Sequence, residues 1–454
     1  MATAKNLTSL PLDEIQGFIL RGYNMAGVRH FVLRIERAAA ARDFIGSLVH
    51  PASQEARITT AAPWTKKPDY CLNIGFTYQG LKQLQLPEFS FSDQYYSSFK
   101  EGAAARAEYI FDTGESAPEH WSGGLGTSDV HVLLSLYVLQ ADELESRSNA
   151  LRSSFGRGGA CTEISNFAGR AFPHGKIHFG YTDGISQPNI EGGARQIPGM
   201  QPVIPTYHFV LLEDAPSYEI PQPQKLGLYG SFVAFRVLEQ DVVGFENFLN
   251  EHRHLIDPEK LAAKMCGRWR NGMPLVLSPE ADEPVLSREH WNNYNYTETQ
   301  TNPDDALGLR CPIGAHMRRL NPRGAKVAGM VDNHRIVRRG MPYGPPYDPQ
   351  KPYDGIERGL LGMFICGSLE NQFEFLMRVW ANGDLFAADL SKGSKDPLLG
   401  NNSAGESRFD IPLKASAPPL KIEAFPRFIK ARGGAYCFLP SKTALKYMAR
   451  PEGM

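Results

Sequence analysis

Apolar residues along the chain fall into two successive runs of strand and helix. In the first run, Phe31, Leu33 and Ile35 alternate with His30, Val32 and Arg34, the period of a strand. Ala38 to Val49 then places Phe44, Ile45 and Leu48 at helical spacing. A second strand, Leu72 to Phe76, leads to Thr77, whose hydroxyl is suited to cap a helix through Leu84. Asp129 to Leu139 is apolar at most positions, which predicts a central strand covered on both faces. A helical stretch with Leu144 and Leu151 follows. A short helix is expected over Leu12 to Arg21, ahead of the first strand.

From Gly156 to Asn189 glycine and polar residues are dense, and the pattern predicts loop. Gly156-Arg157-Gly158-Gly159 does not complete a GxGxxG fingerprint, because Cys161 stands at the third glycine site. The second run begins near Pro202, with strands expected at Tyr207 to Leu212 and Tyr229 to Leu238. Asp241 then opens a helix that turns Val242, Phe245, Phe248 and Leu249 inward. Phe31, Phe44 and Leu48 have the same spacing as Phe232, Phe245 and Leu249, which suggests two similar βα-rich modules. Asp257-Pro258 starts a helix that Gly267 ends. Residues 279–310 read as irregular. Met341 to Gly355 reads as a stiff Pro/Tyr/Gly-rich surface loop. An apolar strand, Gly359 to Cys366, precedes a helix from Leu369 to Trp380. The chain closes on a strand from Ala435 to Leu439 and a helix capped by Ser441.

Composition narrows the class. The 454 residues are 42% hydrophobic and 21% charged with a formal net charge of -1, an ordinary globular balance with no bulk attraction for nucleic acid or anionic membrane. Six cysteines lie far apart without a CxxC pair. That argues against a zinc ribbon, an Fe–S run or a disulfide framework, and favours a reducing compartment. Met1 to Asp13 is polar and carries no signal-like apolar core, so a cytoplasmic location is expected. No apolar run reaches the length of a membrane span.

Three segments could carry chemistry. Cys311 to Arg323 sets His316 between a Pro/Gly-punctuated entry and an Asn-Pro stop, with Arg318 and Arg319 behind it. Neutral imidazole is the commonest transition-metal ligand, and adjacent arginines suit anionic groups such as porphyrin propionates. The plainer alternative is a short helix with a buried histidine and a basic face. Phe179 to Pro188 holds Asp183 between glycines in an otherwise uncharged loop, where a carboxylate could accept a proton; an ordinary Asp-Gly turn is the alternative. Asn333 to Gly344 gathers His334, Arg335, Arg338 and Arg339 around Ile336 and Val337, so one arginine should point inward, unless this is a solvated strand edge. His252 and His254 do not share a helix face, and no GxSxG, Walker or HExxH pattern is present.

Taken together, these segments resemble the dye-decolorizing peroxidases, a haem-dependent family, in its larger, elaborated branch. Gly180-Tyr181-Thr182-Asp183-Gly184 resembles the family's GxxDG motif, Cys311 to Arg323 its CPxGAHxRRxNPR pattern, and Arg335 to Gly344 its RxxRRGxPYG pattern. Further landmarks, from Ile15-Gln16-Gly17 to Arg432-Gly433-Gly434, extend the likeness over nearly the whole chain. The resemblance implies an α+β fold of two ferredoxin-like modules with antiparallel sheets and peripheral helices, of the dimeric α/β-barrel type. These would span residues 1–195 and 196–454. It implies one haem b per chain with His316 as the axial ligand of the iron, and Asp183 and Arg338 as catalytic residues. Arg338, Arg318, His334, Leu360 and Gly184 would be further haem-binding positions.

Two positions depart from the family pattern. The acidic residue expected to hold the proximal imidazole aligns without gaps to Ser368, leaving Glu370, Glu374 or a backbone carbonyl as substitutes. The distal phenylalanine aligns to Gly362, so either the pocket is roomier or Phe364 fills it from a shifted strand. The activity implied is reduction of hydrogen peroxide and one-electron oxidation of organic reductants, by a monomer or homo-oligomer. Tyr343, Tyr347, Tyr353 and Trp380 are candidate electron relays to bulky substrates. A haem-binding or haem-delivery protein without turnover, or a haem-free module that kept the fold, are the competing expectations.

Overall fold

The computed structural model describes residues 10–50, 56–193, 201–213, 215, 218–283, 287–299, 303–384, 386–388, 390–403 and 407–451. The first half supplies β1 (Gly27–Ile35), α1 (Ala38–Val49), β2 (Tyr70–Phe76), β3 (Val132–Val138), α2 (Leu144–Phe155) and β4 (Cys161–Arg170). The second supplies β5 (Ser231–Gln240), α3 (Val242–Glu251), α4 (Pro258–Cys266), α5 (His316–Leu320), β6 (Val337–Tyr343), β7 (Gly359–Cys366), β8 (Ile429–Leu439) and α6 (Lys442–Ala449). Between β7 and β8, residues 369–381 form a helix with wide, π-type turns.

One antiparallel sheet joins both halves in the order β4-β1-β3-β2-β8-β5-β7-β6. Each half has the same internal order, fourth strand, first, third, second, which is the ferredoxin-like arrangement. The halves meet where Phe438 of β8 pairs with Phe76 of β2. The sheet curls until its edges approach: a Cβ on Gly169 of β4 would come within 2.9 Å of the Pro342 carbonyl in β6. Val28, Val32, Leu133, Val233, Phe235 and Ile365 fill the inside of the curl. Phe31, Phe44 and Leu48 pack on its outer side under helices. The repeated spacing seen in the sequence thus falls on β1–α1 and β5–α3, the opening strand–helix pair of each half.

Caps behave as the sequence implied. Thr77 Oγ1 accepts from the Gly80 amide at 3.0 Å, and Asp241 and Asp257 each accept three residues on. Several expectations fail for physical reasons. Cys161–Arg170, expected as loop, is an edge strand whose outward side chains are polar, so it lacks an apolar signature. Tyr207 to Leu212 is no strand; it is a turn of 3-10 helix at Thr206–His208 followed by buried Phe209, Val210 and Leu211. The N-terminal helix shortens to Gly17–Leu20, and the last strand begins six residues earlier than Ala435, at Ile429. The module boundary expected at 195 and 196 lies outside the described residues.

Gly359 tests the packing of the second half. A Cβ there would sit 2.0 Å from the Leu238 carbonyl of β5, whereas one on Gly340 of β6 would meet nothing closer than 3.7 Å. Gly359→Ala is expected to cost ~1–3 kcal/mol in urea unfolding. Gly340→Ala should stay within ~0.5 kcal/mol of the parent.

Candidate active site

The outer face of the second half-sheet forms the floor of a cleft. Alternation sets which side chains reach it: Leu238 and Gln240 from β5, Arg338 and Gly340 from β6, and Leu360, Gly362 and Phe364 from β7. Opposite stand His316, Met317 and Leu320 of α5, with Leu398 and Leu399. Phe373, Leu376 and Met377 of the wide helix close one end. Two adjoining cavities, with empty space of about 1100 and 760 Å³, share His316, Arg338 and Phe364 in their walls.

His316 is the first residue of α5, after the Pro/Gly-rich entry. Its Nδ1 lies 2.8 Å from Oδ2 of Asp396. Asp396 is fully buried, and its Oδ1 accepts from the amides of Leu398 and Leu399, each at 2.9 Å. Burial alone would raise its pKa; the imidazole and the two amides outweigh that and hold the carboxyl below its ordinary value. An ionised Asp396 fixes the proton on Nδ1 and leaves Nε2 as the free donor atom, the arrangement of a metal-binding histidine.

Asp396 is the residue that reading the sequence missed. Ser368 instead caps the wide helix, accepting from Asn371 N at 3.2 Å. Glu370 bonds Ser97 and Ser98, and Glu374 bonds Ser98, Arg106 and Tyr436, so neither reaches His316. Asp396 lies in an irregular stretch with no periodicity. Its one local signal is an Asp-Pro whose carboxylate receives the next two free amides, an Asx-type turn.

Asp183 and Arg338 reach the same cavity as His316. The Asp183 amide donates to Gly175 O at 2.9 Å, and flanking Gly180 and Gly184 take φ of 82° and 80°. Nothing lies within 4 Å of a Cβ on Gly184, so glycine is required there for its backbone conformation. Arg338 Nη1 stands 3.4 Å from Asp183 Oδ1, and Nη2 donates to Ser186 O at 3.2 Å. The Gln187 carboxamide clamps the Arg338 backbone, accepting from its N–H at 3.2 Å and donating to its C=O at 3.0 Å.

Leu360 lines the cleft as expected. Phe364 also lines the cleft, and its ring would stand 2.7 Å from a Cβ on Gly362. Three expected positions are not in the cleft. Arg318 is buried against Asp305, at 3.2 Å, and over the Tyr296 ring. His334 turns away to bond Asn371 O and stacks on Phe375, with ring centroids 3.6 Å apart. Gly184 borders a neighbouring cavity. Arg335 and Asn321 line the cleft instead. Asn321 has both side-chain polar atoms buried without a partner, and the buried Arg335 side chain makes no hydrogen bond among the described residues. Burial lowers the Arg335 pKa to about 9. Among the relay candidates, Trp380 is fully buried and Tyr353 is exposed, and none of the four lines the cleft.

No family model matches the chain. Similar characterised proteins are Peroxidase 2 of Mycetinis scorodonius, 30% identical over 98% of this chain and 89% of the relative, and a dye-decolorizing peroxidase of Exidia glandulosa, 29% identical over 97% and 87%. Among solved structures, a dye-decolorizing peroxidase in complex with 2,6-dimethoxyphenol matches with a TM-score of 0.81 and 28% identity, over 97% of this chain and all of that one. The fungal DyP-type peroxidase of Auricularia auricula-judae matches with a TM-score of 0.82 and 25% identity over the same shares.

The Asp396 contact yields a direct test. Asp396→Ala is expected to weaken haem affinity ~10–100-fold, the usual loss when a ligating histidine's support is removed. Ser368→Ala, which loses only a helix cap, should leave it unchanged. Haem titration followed at the Soret band measures both.

Proposed function

Since the chain belongs to the dye-decolorizing peroxidase family, we propose that His316 Nε2 would ligate the iron of one haem b and that Asp183 and Arg338, which line the same cleft, would act on peroxide. The protein is a haem peroxidase that reduces hydrogen peroxide and oxidises dyes, phenolics or other organic reductants. The observation that carries the residue assignment is that an Asp-anchored imidazole and an Asp–Arg pair line one cleft. The orphaned Asn321 carboxamide and the unbonded Arg335 guanidinium suit the acidic edge of a porphyrin, as a buried polar group without a partner is costly.

When bound, the haem iron supplies the two-electron reduction of the peroxide O–O bond and takes electrons back singly from reductants. The chain's own groups supply proton transfer and charge. Asp183 accepts the proton of the inner peroxide oxygen on its carboxylate and delivers it to the outer one. Arg338 donates N–H bonds to the departing oxygen as negative charge develops there. At 3.4 Å the Asp183–Arg338 contact is loose, so both groups stay available to a small molecule between them. Leu360 and Phe364 keep the floor apolar and limit water. The six cysteines are all buried free thiols.

His316→Ala should abolish stoichiometric haem binding; a haem-replete variant with an unchanged Soret band would refute the ligand assignment. Asp183→Asn should slow the first peroxide-dependent absorbance change in stopped flow ~10²–10⁴-fold, the usual share of a positioned proton shuttle. An unchanged rate would leave that step to Arg338 and make Asp183 a turn residue.

A further inference from the structure

The segment that carries His316 ends on Arg323, which is buried and lines neither cavity of the cleft. Its φ of 44° is a left-handed conformation, strained for arginine. Among the described residues its partners are all uncharged. Nη1 donates to Asn292 O at 2.8 Å and to Tyr294 O at 3.1 Å. Nη2 donates to Ser186 Oγ at 3.1 Å and to Asn292 Oδ1. The guanidinium carbon lies 4.0 Å from the centroid of the Tyr294 ring. A buried charge answered by dipoles on a strained backbone is not favoured by stability alone.

We propose that Arg323 is a positioning residue for Arg338, acting with Asn292 through the two residues that hold that arginine in place; the inference rests on the peroxidase reading above. Two routes join them. Ser186, whose hydroxyl accepts from Arg323, offers its carbonyl to Nη2 of Arg338 at 3.2 Å. Asn292, held by Arg323 at both of its oxygens, donates Nδ2–H to Gln187 O at 3.5 Å. The Gln187 carboxamide in turn clamps the Arg338 backbone. The side chain and the main chain of Arg338 are thus each fixed by a residue that Arg323 or its partner holds.

Arg338 needs that support. It stands on an edge strand, its contact with Asp183 is a loose 3.4 Å, and residues 183–188 form no helix or strand of their own. A planar guanidinium can grip two carbonyls, a hydroxyl and an amide oxygen at once, which a lysine ammonium does not match. One stretch of chain therefore presents the imidazole and also fixes the guanidinium on the opposite wall of the cleft. Arg338 assists the departing oxygen only where its N–H groups point, so a shift of about 1 Å costs ~10²-fold in rate.

The test reads position and chemistry separately. In the haem-free protein, hydrogen exchange followed by mass spectrometry should show residues 183–188 and 336–340 exchanging faster in Arg323→Lys than in the parent, with β1 and β2 unchanged. In the haem-loaded protein, Arg323→Lys keeps the charge but should slow the first peroxide-dependent absorbance change ~10²-fold. Ser186→Ala should slow it about tenfold, the scale of one charge-assisted hydrogen bond. Ser186→Thr, which keeps the hydroxyl, should recover most of that loss. Arg338→Leu should slow the same step, and adding Arg323→Lys to it should cost nothing further, because Arg323 acts through Arg338. Losses that simply add, or a parent-like rate in both Arg323→Lys and Ser186→Ala, overturn the proposal. If Arg323→Lys does not fold, Ser186→Ala, alone and combined with Arg338→Leu, decides it by the same criteria. A parent protein that gives no absorbance change with peroxide sinks the peroxidase reading, and the exchange comparison then decides the positioning of Arg338 by itself. A peroxide response that the variants leave unchanged sinks the positioning role alone.

Discussion

The site is organised around the buried contact between Asp396 and His316. Removing a carboxylate from water costs several kcal/mol, and here the imidazole and two backbone amides offset it. That compensation works in only one geometry. The ring must stand in the plane that offers Nδ1 to Asp396, which directs Nε2 toward the cleft. A stretch of chain with no regular structure therefore sets the orientation of the ligand more tightly than the five-residue helix that bears it.

The paired arginines after His316 serve the same end. Arg318 ties α5 to the loop before it through Asp305 and the Cys311 carbonyl, at 2.7 Å. Arg319, fully buried, donates to Trp380 O at 2.6 Å and to Ser394 O at 2.7 Å. Those acceptors lie on the wide helix and just before Asp396. One guanidinium thus holds together the helix, the ligand's support and the cleft's end wall. The motif reads as haem-facing charge, but both guanidiniums are spent as brackets for the imidazole.

This explains what was legible in the sequence. His316, Asp183 and Arg338 stand in local patterns whose glycines, prolines and strand alternation dictate where the side chain goes. Whether a given arginine faces the cleft is decided by a distant partner. Arg318 meets buried Asp305 and is consumed; Arg335 meets none among the described residues and remains free at the cleft. Nothing local distinguishes the two. Likewise His334 is drawn off by Asn371 and Phe375, both on the wide helix. The edge strand β4 was hidden for a related reason, since its outward face has no core to record in apolar residues.

Strand alternation also accounts for how one element serves two chambers. β6 is an edge strand, so one of its flanks has no hydrogen-bonded strand beside it, although β4 approaches it across the curl. Arg338 faces the cleft, and its backbone is held by Gln187 rather than by a further strand. Arg339, one residue on, faces the curled interior beside Tyr137 and Tyr23, where burial lowers its pKa to about 10 without removing its charge at neutral pH. A central strand could not do this, because its neighbours would cover both flanks and leave no room for the loop that brings Asp183. The partition between the chambers is therefore a consequence of where the curled sheet stops, and its two arginines follow from the two-residue period of the strand that ends it.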